Sequence, residues 1–247
     1  QYDTISYHGM LEANKESFGH RVLPTYNFEK ADVIVSFGTD FLGNLFNKSF
    51  EKEYISNRQP KKGKMSRHFQ IESNLTLSGA NADVRIPVKP SEKLNLLENL
   101  YDSLAGNSSP DDKLKVIVDE LLNSKGKSLV LCDTNDKTVQ VMVNAINNIL
   151  ENYNQTIDLT RPIFTKSGDD NAISQLINEM NDGKISALII SGVNPSYSLP
   201  NASEFNAALS KVGLKISTAF WMSLKFDIPV DIKVCLRSSA ILFNKSS

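Results

Sequence analysis

Cysteine and histidine are scarce in this sequence, which limits the metal chemistry that it can carry. The 247 residues include two cysteines and three histidines. Cys132 and Cys235 are far apart and form no Cys-x-x-Cys pair, which excludes an iron–sulfur cluster or a thiolate zinc site built within this chain. His8, His20 and His68 are isolated from one another and from the cysteines, so the sequence predicts no metal site. Cys132 ends an apolar run, which favours a buried free thiol.

Excess charge and long apolar runs are also missing. Lys plus Arg number 27 against 28 Asp plus Glu, so the net charge is -1 and a nucleic-acid partner is not expected. The basic residues within 61–67 follow Pro60 and surround Gly63, which is typical of a solvated loop. No run of about 18 or more apolar residues occurs, so we expect a soluble segment without direct membrane insertion.

Several signature loops are absent as well. The sequence contains no Gly-x-Gly-x-x-Gly, no Walker-type loop and no Gly-x-Ser-x-Gly, so NAD, ATP and serine-hydrolase chemistry lack their usual support. The chain begins at Gln1 without a leader segment, and we interpret it as an internal part of a longer polypeptide.

Short apolar runs alternate with segments of helical period. The clearest runs are Val33–Phe37, Leu129–Cys132 and Ala187–Ile190, which are typical of strands buried on both faces. Amphipathic helices are predicted around residues 94–104, 114–121, 139–150 and 173–180. This alternation predicts an α/β fold, with Rossmann-like layers of mostly parallel sheet flanked by helices.

The small, polar segment Ala105–Pro110 is the best candidate for a linker. It divides the chain into a first α/β half, residues 1–108, and a second, residues 109–247. A short edge strand is expected at Arg161–Phe164 in the second half.

The two halves share a weak repeat, in which a buried strand runs into a glycine, one spacer residue and then Asp or Asn. The first copy is Gly38-Thr39-Asp40 and the second is Gly192-Val193-Asn194-Pro195. At the carboxyl end of a parallel strand, such a turn exposes backbone N–H groups to the crevice where α/β proteins bind nucleotides. Ordinary turn chemistry explains the same residues, and from sequence physics alone it is the favoured explanation.

Three blocks resemble the molybdopterin oxidoreductase family. Lys30–Asp40 is similar to its first strand–glycine segment, Ile71–Pro90 to its central strand and turn block, and Ile190–Pro200 to its second Gly-x-Asn-Pro turn. More narrowly, Gly9–Gly19 and Lys64–Asp83 resemble one branch, the molybdopterin-oxidoreductase-like iron–sulfur subunits of alternative complex III.

That resemblance implies a subunit on the periplasmic face of an inner-membrane, quinol-oxidising electron-transfer complex. It implies two related halves of the kind found in the middle domains of formate dehydrogenase and DMSO reductase. The expected partners are other subunits of the complex and the iron–sulfur domain of the full-length chain, and the fold is expected to be retained without its cofactor.

The cofactor-binding positions of the family can be carried over residue by residue. They correspond to Gly38, Thr39, Asp40, Glu72, Gly192, Asn194 and Pro195. Glu72-Ser73-Asn74 replaces the family's Asp-Pro-Arg, Pro90-Ser91-Glu92-Lys93 replaces Pro-Gly-Thr-Asp, and Asp40-Phe41 replaces Asn-Pro. Because these changes remove an arginine fork and a guanine acceptor and add a negative charge, we expect the positions to be vestigial. The Gly192–Pro195 turn is intact.

Two further groups are candidates for acid–base residues. His68 lies on a predicted strand and is expected to have a surface or hydrogen-bonded structural role rather than to act as a general base. Asp83 is expected to form a turn before a strand at Val84–Val88 rather than a carboxylate pair with Glu72. We therefore predict no catalytic residue in this chain.

Three hypotheses follow. The first is a cofactor-free structural module of the electron-transfer complex. The second is part of an active enzyme that binds molybdopterin guanine dinucleotide with its metal ligand elsewhere. The third is a small nucleotide-binding module that uses Gly38 and Asn194. The residues after about 218, including the apolar Phe220–Met222, match none of these patterns.

Overall fold

A computed structural model describes residues 5–43, 45–59, 63, 65–217, 232–237 and 240–244, the last two segments as backbone only. The chain forms two compact units. The first unit is Tyr7–Ser167, and the second contains the described residues from Gly168 onward with Ile5 and Ser6.

The helices of the first unit are α1 (His8–Phe18), α2 (Ser49–Ser56), α3 (Leu77–Ala80), α4 (Pro90–Leu104), α5 (Lys115–Asn123) and α6 (Lys137–Ile149). Its strands are β1 (Leu23–Tyr26), β2 (Val33–Phe37), β3 (Arg67–Glu72), β4 (Val84–Pro87), β5 (Ser128–Cys132) and β6 (Ile157–Ile163). In the second unit the helices are α7 (Asp170–Asn181), α8 (Pro195–Ser198) and α9 (Ala202–Ser210). Its strands are β7 (Ala187–Ile190), β8 (Leu214–Ser217), β9 (Ile232–Arg237) and β10 (Ala240–Asn244).

A four-stranded parallel sheet forms the centre of the first unit. Its order is β4-β3-β2-β5, with β2 paired to β3 on one side and to β5 on the other. Every residue of β2 and of β5 is buried, which explains why the sequences of both strands are mostly apolar. The predicted α/β fold, with a parallel sheet flanked by helices, is confirmed.

Helices cover both faces of this sheet. On one face Val35, Phe69 and Val130 pack against the buried sides of α4, α5 and α6. On the other, Ile34 and Leu129 belong to a core shared with α1, α2 and the aromatic residues between β1 and α2. Burial of one large aliphatic or aromatic side chain contributes about 2 kcal/mol, so both layers stabilise the sheet substantially.

Cys132 is a buried free thiol, as predicted, and burial raises the pKa of that thiol.

Side chains occupy the outer edge of β5. The Val130 N–H donates to Asn147 Oδ1 at 3.1 Å, and Asn147 Nδ2 donates to the Val130 carbonyl at 2.8 Å. Asn152 Oδ1 accepts from the Ser128 N–H at 3.3 Å, and Gln140 Nε2 donates to the Cys132 carbonyl at 3.0 Å. Amide side chains thus take the place of a neighbouring strand along β5.

The second unit has a mixed sheet of order β10-β9-β8-β7, in which β7, β8 and β9 are parallel and β10 is antiparallel to β9. α7 and α9 pack on it through a small apolar core that includes Met180, Ile190 and Phe205. The predicted strand at Ala187–Ile190 is confirmed, but its expected burial on both faces is wrong: Ile190 is the one buried residue of β7, and Ile189 is 67% exposed, because β7 lies at the edge of the described sheet. The apolar Phe220–Met222 segment lies outside the described residues.

The division between the units differs from the boundary predicted at residues 108 and 109. Ala105–Pro110 is a loop, but β5 lies beyond it and pairs with β2, and α4 and α5 pack on the same face. Pairing between strands distant in sequence holds residues 7–167 together, and the structure divides the chain between Ser167 and Gly168. Of the edge strand expected at Arg161–Phe164, the residues up to Ile163 form the end of β6, which pairs with β1 in a separate antiparallel ribbon, and Phe164 follows the strand.

Candidate functional site

The first-unit sheet has a topological switch point between β2 and β5. From β2 the chain moves through β3 to β4, and then returns past α4 and α5 to place β5 on the other side of β2. The crevice beyond the carboxyl ends of such strands is the usual ligand site of α/β sheets. Here it is formed by Gly38–Asp40, Glu72 and Asp133, which we call the carboxyl edge.

An ion pair lies over the switch point. Gly38 has a left-handed backbone with φ of 78°, and a Cβ added to it would overlap the carboxylate of Asp133. That carboxylate is paired with the ammonium group of Lys93, from the first turn of α4. Asp133 is held in place because its N–H donates to the Phe37 carbonyl at 3.1 Å. Side chains of the protein therefore occupy the space directly above Gly38.

Asp40 is half-buried, and its carboxylate is hydrogen-bonded within the protein. Its Oδ1 accepts from the Ser78 N–H at 2.9 Å and from the Ser78 hydroxyl at 2.8 Å. The Ser78 hydroxyl in turn accepts from the Leu42 N–H at 3.0 Å. These bonds fasten the loop after β2 to α3.

Glu72, at the end of β3, is 1% exposed. Its Oε1 accepts from Arg85 Nε at 2.6 Å, and its Oε2 accepts from the Thr76 hydroxyl at 2.7 Å and from Gln70 Nε2 at 3.1 Å. Burial alone would raise the pKa of Glu72, but the hydrogen bonds from Thr76, Arg85 and Gln70 outweigh it and lower that pKa. The carboxyl group is thus an internal anion.

His68 lies on the same face of β3 and is fully buried. Its Nδ1 is 3.1 Å from the Tyr54 hydroxyl, and its Nε2 is 3.1 Å from Gln70 Oε1. Burial lowers the pKa of His68 to about 4, despite the hydrogen bond to Gln70. The hydrogen-bonded structural role expected for His68 fits these contacts.

Asp83 and Glu72 do not form a carboxylate pair. Asp83 receives a two-fold hydrogen bond from Arg58, at 2.7 and 2.8 Å, and a third bond from the His68 N–H at 2.7 Å. The Arg58 bonds hold the pKa of Asp83 below its ordinary value. Each of the two acids therefore pairs with its own arginine.

The Gly192–Pro195 turn lies in the second unit, after β7. Gly192 has φ of 71°, which matches the left-handed glycine at the first turn. Pro195 begins α8, and the Asn194 carbonyl accepts from the N–H groups of Tyr197 and Ser198. Asn194 Oδ1 is buried and has no hydrogen-bond partner.

The structure thus brings Gly38, Thr39, Asp40 and Glu72 together at one sheet edge, and places Gly192, Asn194 and Pro195 in the other unit. The sequence did not identify Asp133 as part of the site. It follows β5 directly, so the rule that selected Asp40, a polar residue after a buried strand, could have found it.

The carboxyl edge does not fit an anionic dinucleotide such as molybdopterin guanine dinucleotide. Asp40 and Asp133 place two carboxylates where phosphates would approach, Glu72 adds a third that is buried, and like charges repel at close range. The nearby cations are already paired, Lys93 with Asp133 and Arg85 with Glu72.

In the part of the chain that the structure describes, no group of three or more His, Cys, Asp or Glu side chains could hold a metal ion. None of the helices among those residues is long and apolar enough to cross a membrane.

Neither the protein-family models nor the curated proteins include a match to this chain.

Proposed function

We propose that this chain is a cofactor-free structural module of the molybdopterin-oxidoreductase type, at the periplasmic face of a membrane quinol-oxidising electron-transfer complex. The proposal rests on the resemblance of three sequence blocks and on one structural observation. The Lys93–Asp133 pair fills the space above Gly38, where a dinucleotide would pass closest to the backbone of a Rossmann-like sheet.

The bonds of Asp40 and Glu72 support the same proposal. Both carboxylates connect α3 to the sheet, Asp40 through Ser78 and Glu72 through Thr76. In such a module, these residues stabilise the loops at the carboxyl edge and have no role in chemistry. The module would serve as a scaffold on which haem-bearing and cluster-bearing partners dock.

Metal and pterin analysis of the full-length protein tests this proposal against an active molybdenum enzyme. We expect neither stoichiometric molybdenum nor pterin fluorescence after acid oxidation. Isolation from native membranes should recover the protein together with haem-bearing and cluster-bearing subunits. One molybdenum per chain would overturn the proposal.

The unpartnered Asn194 Oδ1 favours a second candidate, a small nucleotide bound at the Gly192–Pro195 turn. A nucleotide at a hundredfold excess over its Kd should stabilise the fold by about 2.7 kcal/mol. Thermal shifts with guanine and adenine nucleotides should be compared in the wild type, in Asn194→Ala and in Asp40→Asn. This candidate requires a shift that Asn194→Ala removes and Asp40→Asn retains.

A further inference from the structure

A row of buried polar side chains lies along β3. His68, Gln70 and Glu72 alternate with apolar residues, so their side chains share one face of the sheet. Each of the three is at most 1% exposed. Tyr54 of α2 extends the row beyond His68 through its hydroxyl group. Donors and acceptors can be assigned along the whole row.

The carboxylate of Glu72 determines the orientation of the Gln70 amide. Four donors surround its carboxylate: Arg85 Nε, the Thr76 N–H, the Thr76 hydroxyl and Gln70 Nε2. An ionised carboxylate accepts hydrogen bonds and donates none, so Gln70 must present its NH2 group to Glu72. The same nitrogen also donates to the Thr39 carbonyl at 3.4 Å, which uses its second hydrogen.

The orientation of Gln70 then determines the protonation of His68. Gln70 Oε1 faces His68 Nε2 at 3.1 Å, and a carbonyl oxygen only accepts, so Nε2 must carry a hydrogen. In a neutral ring Nδ1 then has a free lone pair. The Tyr54 hydroxyl has one hydrogen and lies 3.1 Å from both Nδ1 and the Asn81 carbonyl. Asn81 is exposed, so water can satisfy its carbonyl, whereas His68 is fully buried, so we assign the Tyr54 hydrogen to Nδ1.

We infer that Glu72, acting through the Gln70 amide, holds His68 as a single neutral tautomer protonated at Nε2 and thereby sets the direction of the Tyr54 hydroxyl. Other charged groups near the ring are Arg58 and Asp83, which pair with each other. Glu72 is thus a positioning residue for a buried hydrogen-bond chain. The inference is independent of the proposed function, because the tautomer of His68 depends only on hydrogen bonds within this chain.

Long-range proton–nitrogen NMR correlation on the 15N-labelled chain at neutral pH tests the tautomer directly. The chain has three histidines, so His8→Gln and His20→Gln variants assign the His68 signals. We expect one protonated nitrogen, Nε2, and a bare Nδ1 that accepts a hydrogen bond. Protonation at Nδ1, or averaged signals from both tautomers, would overturn the inference.

Variants test the anchoring role of Glu72. In Glu72→Gln the introduced amide can turn either its oxygen or its nitrogen toward Gln70, so the two His68 nitrogen signals should move toward each other. Gln70→Met breaks the middle link and should have the same effect, which provides a second test if Glu72→Gln does not fold. Glu120→Gln, which removes a partly exposed acid paired with Arg67 of β3, is the matched control and should leave the signals unchanged. Unchanged His68 signals in a folded Glu72→Gln or Gln70→Met variant would overturn the anchoring role.

Discussion

Among single residues, Gly38 combines a left-handed backbone with a carboxylate packed against its α-carbon. Gly38→Ala should destabilise the protein by about 2–3 kcal/mol, because the added methyl group strains the backbone and displaces Asp133 from Lys93. Urea denaturation gives the free energy of unfolding.

Gly106→Ala is the matched control for that substitution. Gly106 has the same φ of 78°, but no atom lies within 4 Å of its added Cβ. Gly106→Ala should therefore lower the free energy of unfolding by about 1 kcal/mol, from backbone strain alone. Equal losses at the two positions would show that Asp133 does not occupy the space above Gly38.

His68 gives the stability of the first unit a defined dependence on pH. Its pKa is about 4 in the folded chain, against about 6.5 when unfolded. Between these values the unfolded state binds a proton that the folded state does not, so stability falls as the pH is lowered from about 6.5 to 4. At pH 5 the loss should reach about 2 kcal/mol relative to pH 7.5.

Urea denaturation of the wild type and of His68→Gln at both pH values isolates this contribution. The variant keeps a neutral donor and acceptor at this position, and titration of Glu72 and Asp83 contributes to both proteins. The loss should be about 2 kcal/mol smaller in the variant. The same pH dependence in both proteins would contradict a lowered His68 pKa.

At the scale of elements, the contact between α6 and the edge of β5 depends on Asn147, which is 2% exposed. Asn147→Leu should cost about 3 kcal/mol, because it leaves the buried Val130 N–H and C=O groups without partners. Asn148→Leu, at the exposed neighbouring position, should change stability by less than about 0.5 kcal/mol. Thermal and urea denaturation of both variants measure the difference, and similar losses would argue against the edge contact.

Elements with a strong local pattern could be predicted from the sequence. The sequence predicts Val33–Phe37 with the bounds that the structure gives it, because a strand buried on both faces is mostly apolar, here with Ser36 as the one polar residue. The Lys93–Asp133 pair could not be predicted, since its partners are 40 residues apart and meet only when β5 joins β2. Gly38–Asp40 could be, because glycine and a polar residue after a strand are a local signal.

For the molecule as a whole, the placement of β5 determines which part of the chain can fold alone. A protein consisting of residues 7–167 should unfold cooperatively, because it contains both cores and all four strands of the parallel sheet. A protein ending at residue 108 lacks β5, α5 and α6 and should not fold. Circular dichroism and urea denaturation distinguish the two, and cooperative unfolding of residues 7–108 would refute this division.

The division of the chain into two units could not be predicted from the sequence. Ala105–Pro110 has the composition of a linker, yet it connects two helices on the same sheet. The composition of a segment indicates whether it is exposed to solvent, whereas a domain boundary depends on which strands pair when they are distant in sequence.

The amide groups along β5 also bear on aggregation. Ser128–Cys132 is a short, uncharged, mostly apolar strand, the kind of segment that joins intermolecular β-sheets when its edge is free. Asn147, Asn152 and Gln140 occupy that edge in the folded chain. Conditions that loosen α6 would therefore expose an aggregation-prone strand before the sheet itself unfolds, so the solubility of this protein depends on α6 staying in place.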